Sequence, residues 1–149
     1  MSQSMPTART RGPHQWLALI IGLVYLLVGI AGFFVTGFDG FAEHDHDQTL
    51  LGFAINPLHN IVHLAIGLLG ITMWRTSGGA RTFGWLLLVG YGAAFVYGLI
   101  AVNNPDINLL NINVADNWLH ILSALAGLAI AVWPARRSVT TTAESPRQH

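Results

Sequence analysis

The chain has 149 residues, 52% of them hydrophobic and only 9% charged, with a mean hydropathy of +0.50. An ordinary soluble domain carries about 25% charged residues, so composition argues against a soluble globule. Seven arginines balance seven acidic residues with no lysine, which leaves no basic field for nucleic acid, and the absence of cysteine excludes disulfides, iron–sulfur clusters, c-type haem and thiolate zinc sites.

Crossing about 30 Å of hydrocarbon as a helix takes about 20 mostly apolar residues. In chain order, residues 1–13 are polar and lack apolar periodicity, which predicts a disordered cytoplasmic tail. Trp16 to Val35 then contains no ionisable group except Tyr25. It is a first span, longer than the h-region of a signal peptide and without an Ala-x-Ala exit. The loop from Gly37 to Thr49 carries Glu43, His44, Asp45, His46 and Asp47. Asn56 and Pro57 form a helix start, a capping side chain followed by a residue with no amide to satisfy. They open a second span over 57–74, with His59 and His63 near its beginning. Arg75 to Thr82, with Gly78 and Gly79, is a short turn into a third span, Phe83 to Val102. Asn113 caps a fourth, Val114 to Trp133, which contains Asp116 and His120. Residues 138–149 repeat the composition of the first tail. The expected fold is all-α, a four-transmembrane-helix bundle within 14–137.

Cytoplasmic flanks retain positive charge during insertion, and here Arg9, Arg11, Arg75, Arg81, Arg136, Arg137 and Arg147 all fall on one side of such a bundle. Every acidic residue but Glu144 falls in or beside the loops of the other side. Both termini are therefore expected in the cytoplasm. Trp16, Trp74, Trp85 and Trp133 lie at the cytoplasmic ends, where an aromatic belt belongs.

Shifting the second span by 57 positions onto the fourth aligns Asn56 with Asn113, Asn60 with Asn117, His63 with His120 and Gly70 with Gly127. A weaker match aligns span one with span three at 69 positions, Trp16 with Trp85 and Gly29 with Gly98. Together these point to two helical hairpins related by a pseudo-two-fold axis along the membrane normal. Helical spacing also makes a stripe of mostly polar and small residues in three of the helices: Ala18, Gly22, Tyr25, Gly29 and Gly32 in the first; Asn60, His63, Gly67, Gly70 and Trp74 in the second; Asn117, His120, Ala124 and Gly127 in the fourth. Small residues let helices approach and polar ones avoid lipid, so these stripes are expected to face inward.

Three uses of the polar residues stay open. As a structural staple, paired Asn-x-x-His turns join two hairpins with no cofactor, and no cofactor is assigned. As a transition-metal site, His59, His63, His120 and Asp116 supply imidazole and carboxylate ligands, supported by Asn60 and Asn117. A haem alternative makes His63 and His120 the two axial ligands of a b-type haem. As a proton or ion relay, the same groups mark a route through the bundle. The acidic and His-rich loop either captures a divalent cation through His44 and His46 or is a solvated loop. No phosphate-binding loop, nucleophile elbow or metalloprotease motif is present, so the chain is not expected to be an enzyme.

The strings Phe41-Ala42-Glu43-His44, Leu50-Leu51-Gly52-Phe53, Leu58 to Leu64 (LHNIVHL) and Ala115 to His120 (ADNWLH) resemble a bacterial family of small four-helix membrane proteins catalogued only as a domain of unknown function. The resemblance covers Gln15 to Trp133 and implies four spans in a bacterial plasma membrane, without an activity or ligand. The reading that results is an integral membrane protein of structural or partner-binding role, with a buried Asn/His cluster near the outer face. Its expected partners are the lipid bilayer and, through the Gly-rich faces, another membrane protein or a second copy of the chain.

Overall fold

The computed structural model describes residues 10–134. Residues 1–9 of the tail expected over 1–13 and the whole tail expected over 138–149 lie outside the described residues, as do Arg9, Arg136, Arg137, Arg147 and Glu144. Four helices follow one another: α1 (Pro13–Thr36), α2 (Pro57–Met73), α3 (Ser77–Ala101) and α4 (Val114–Val132). A two-stranded hairpin, β1 (Thr49–Leu50) and β2 (Phe53–Ala54), stands between α1 and α2. The fold is all-α, a four-helix bundle. Three of the helices, α1, α3 and α4, are long and apolar enough to cross a membrane. The apolar helix α2 has 17 residues and rises about 25 Å, somewhat less than the hydrocarbon core.

Local chemistry sets the helix ends. Pro13 opens α1 at a position that needs no amide partner. The Gln15 amide then donates to the carbonyls of Trp74 and Arg75, both at 3.0 Å, satisfying oxygens exposed at the end of α2. Asn56 Oδ1 accepts the His59 amide at 2.9 Å. Thr76 Oγ1 accepts the Gly79 amide at 3.0 Å, so α3 begins at Ser77, six residues ahead of the expected Phe83. Gly78 and Gly79 belong to its first turn. A Cβ on Gly79 would meet the Met73 carbonyl, which makes the tight α2–α3 connection depend on glycine.

The helices pack as two tight hairpins, α1 on α2 and α3 on α4, which meet each other more loosely. The stripes expected from spacing are buried, Ala18, Gly22, Tyr25, Gly29 and Gly32 on α1, Asn60, His63, Gly67 and Gly70 on α2, and Asn117, His120, Ala124 and Gly127 on α4, with Trp74 half-buried; His14 and Gln15 are buried on α1 as well. Glycine brings backbones together in both hairpins. Gly70 packs against Ala18 and Gly22, while Gly127 packs against Gly84 and Leu88. These equivalent partners place α1 and α3 66 positions apart rather than 69. The identities that favoured 69, Trp16 with Trp85 and Leu17 with Leu86, include the half-exposed side chains of Trp16, Trp85 and Leu86. Outward faces carry Ile20, Val24, Leu27, Phe34, Val89, Leu99, Leu122 and Leu125, all exposed.

The described arginines share one end of the bundle. The Arg11 guanidinium lies 4.4 Å over the Trp74 ring, Trp16 packs on Trp74, and Arg81 donates to the Trp133 carbonyl. The opposite end is built of loops.

Candidate functional site

At the loop end, two helix caps position the polar side chains. Asn56 caps α2 and so fixes the first turn from which His59 projects. Asn113 and Asp116 form a capping box: Asn113 Oδ1 accepts the Asp116 amide at 3.1 Å, and Asp116 Oδ2 accepts the Asn113 amide at 2.8 Å. The box accounts for one carboxylate oxygen. The other, Oδ1, is buried without a partner.

His59, Asp116 and His120 each bring one ligand atom to a common place, all within 4.8 Å of one another, and all three residues are buried. Nδ1 of His59 and of His120 is likewise buried without a hydrogen-bond partner. The main chain of Ala54 in β2 lies beside both His59 and Asp116. Of the four residues nominated as metal ligands, the structure therefore gathers three. His63 is not in that group but packs against His59 at a tilt of 51°, with ring centroids 4.4 Å apart.

The surrounding rings close into a circuit. Tyr25 contacts His63 at 5.1 Å, His63 contacts His59, His59 faces His120 at 6.2 Å, His120 contacts Tyr91 at 5.4 Å, and Tyr91 returns to Tyr25 at 5.2 Å. Each hairpin supplies one Tyr–His pair. Tyr25 and Tyr91 are site residues that spacing placed in the spans without assigning them a role. Their signal was the 66-position relation that also links Gly32 to Gly98. Tyr25 is further tied to α4 by a 2.6 Å hydrogen bond with Ser123.

Asn60 and Asn117 serve the helix interfaces rather than the three-residue group. Their Oδ1 atoms are buried without a conventional partner and face Gly32 and Gly98, at the positions where a Cβ would stand. The hydrogen that replaces each Cβ points at the oxygen, as in a Cα–H···O contact. Asn60 Nδ2 also donates to Thr36 Oγ1 at 2.9 Å.

The acidic loop is ordered by side-chain to backbone bonds. Asn111, held at φ 54°, accepts the Asp45 amide at 3.0 Å and donates to the carbonyls of Asp45 and Ile55. Asn56 donates to the carbonyls of Glu43 and Leu109. Asp45 takes the Asp47 amide and the Gln48 side chain. Among the described residues, the loop's own His and carboxylates do not form a group of three within ligand reach. A cavity of about 370 Å³ opens between α1 and α4 under the β-hairpin, lined by Val24, Val28, Leu51, Phe53 and Leu122 and reaching Tyr25 and His63. Its walls suit hydrocarbon and add no ligand atoms to the cluster.

Neither the curated proteins nor the solved structures give a match to the chain. The family described as a domain of unknown function, DUF4383, matches residues 15–133. That match takes in α1 from its third residue, the other three helices, the β-hairpin and every residue of the buried ring circuit, and the chain belongs to this family.

Proposed function

We propose that the protein is a multi-pass protein of the bacterial plasma membrane, with both termini in the cytoplasm, that holds a divalent transition-metal ion in a buried site near the outer face. The observation that carries the metal reading is the convergence of His59, Asp116 and His120, three buried ligand atoms within 4.8 Å of one another. Unpartnered polar atoms are costly in a low-dielectric interior, and an ion held between the carboxylate and the two imidazoles lowers that cost. Two imidazoles and a carboxylate with an open position suit zinc, iron(II) or copper(II). Ligands about 2.1 Å from a tetrahedral zinc stand about 3.4 Å apart, so side-chain shifts of about 1 Å close the group on an ion.

The ring circuit favours a bare ion over a porphyrin. A haem ligated by His63 and His120 would have to displace His59 from between them and open the Tyr25–Tyr91 contact. The orientation reading draws support from Arg11, Arg75 and Arg81 at one end and from Asp39, Glu43, Asp45, Asp47 and Asp106 at the other. The matched pairs Tyr25–His63 and Tyr91–His120 support two copies of one hairpin.

Elemental analysis of the protein purified in detergent tests the reading. One tightly held transition-metal ion per chain is expected, lost in Asp116→Asn combined with His120→Gln. A folded protein that takes up no zinc, iron or copper at these residues would return the cluster to a purely structural role.

A further inference from the structure

The loop above the buried cluster carries a second pair of imidazoles. The rings of His44 and His46 lie 4.3 Å apart, edge to face. His46 Nε2 is 3.2 Å from the Ile112 carbonyl. A carbonyl only accepts, so this nitrogen donates to it, and in the neutral ring Nδ1 is then the lone-pair nitrogen. His44 Nδ1 is buried and has no partner. The neighbouring Asp45 carboxylate is engaged in holding the loop, by the Asp47 amide and Gln48, and imidazoles are the loop donors that suit zinc or copper better than carboxylates do.

Charge and position both bear on a cation. Asp39, Glu43, Asp45, Asp47 and Asp106 occupy the loops of this end, whereas the described arginines stand at the other. Such a separation concentrates cations where the imidazoles are. The loop is also fastened to the two helix starts that carry the buried ligands. Asn56, whose Oδ1 caps the amide of His59, donates to the Glu43 carbonyl at 3.1 Å. His46 is bonded to Ile112, the residue before the cap of α4.

We infer that His44 and His46 form an outer capture site for a divalent transition-metal ion of the zinc or copper(II) class, from which the buried site is loaded. Water completes the coordination, so this site binds more weakly and exchanges faster than the buried one. The loading step rests on the buried-site reading of the preceding section, whereas capture by the loop does not.

Equilibrium dialysis of the full chain in detergent against zinc separates the two. The wild-type protein is expected to bind two ions, His44→Ala/His46→Ala one, and Asp116→Asn/His120→Gln one. In stopped-flow mixing, zinc entry into the buried site should slow by about tenfold in the loop variant, the lower end of what a local field and concentration supply. Helical circular dichroism checks that each variant is folded, and His44→Gln alone, which leaves the His46 bond intact, is expected to show the same loss of the weaker ion. A loop variant that keeps both ions and loads at the wild-type rate overturns the inference. So does a wild-type protein with a single ion lost only on substitution of Asp116 and His120, which leaves the buried site standing. A single ion lost only on substitution of His44 and His46 keeps the capture site and defeats the buried site together with the loading step.

Discussion

The side-chain oxygen of Asn60 occupies the space in which Gly32 would carry a Cβ, and Asn117 stands in the same relation to Gly98. Each asparagine thus reads a missing side chain on the neighbouring helix. Gly32→Ala and Gly98→Ala are expected to destabilise the bundle by about 1–3 kcal/mol each through overpacking, measured by unfolding in detergent. Gly90→Ala, where a Cβ meets nothing, should instead be neutral or stabilising by up to about 1 kcal/mol. The Gly32→Ala/Asn60→Ala double variant should recover part of the Gly32→Ala loss. A Gly32→Ala protein as stable as wild type would contradict the contact.

The inward stripes were legible because membrane packing demands small residues at helical spacing, and Ala18, Gly22, Tyr25, Gly29 and Gly32 carry that spacing openly. The Asn56 and Asn113 caps were equally plain, since both precede apolar runs. Other features have no periodic trace. Asn111 holds the loop through bonds to Asp45 and Ile55 that are distant in sequence. The β-hairpin is two residues per strand, too short for alternation to show. The separation of His63 from the His59–Asp116–His120 group depends on side-chain direction, which one turn of helix spacing does not determine.

Tyr25 and Ser123 join α1 to α4 across the looser contact between hairpins. A double-mutant cycle with Tyr25→Phe and Ser123→Ala should give a coupling of about 0.6 kcal/mol and at most about 1.7 kcal/mol, the range for such bonds within membranes. Strictly additive effects would mean that the bond does not bind the hairpins together.

Leu51 is 85% exposed at the tip of the β-hairpin, with φ 55° beside Gly52 at φ 88°. Two successive positive φ values define a turn that Asn-Gly fits and a leucine strains. Leu51→Asn is expected to stabilise the hairpin by about 1 kcal/mol, read as slower hydrogen exchange at Leu50 and Phe53. Faster exchange would show that apolar contact of Leu51 outweighs the strain.

Asn111 combines a left-handed backbone with three hydrogen bonds. Asn111→Ala should loosen the segment from Glu43 to Ile55, costing about 1–3 kcal/mol for the buried groups left unpaired. Limited proteolysis within that segment, absent from the wild type under the same conditions, is the expected readout. Asn111→Gly, which restores the backbone preference alone, should remain nearly as sensitive.

X-ray absorption at the zinc edge addresses the buried site most directly, using His44→Ala/His46→Ala so that only one class of site remains. The expected spectrum has one zinc per chain with two imidazole nitrogens at about 2.0–2.1 Å and a carboxylate oxygen at about 2.0–2.2 Å, and Asp116→Asn should alter that oxygen shell. A folded variant that retains no zinc, or zinc without imidazole in its shell, would contradict a metal held by His59, Asp116 and His120.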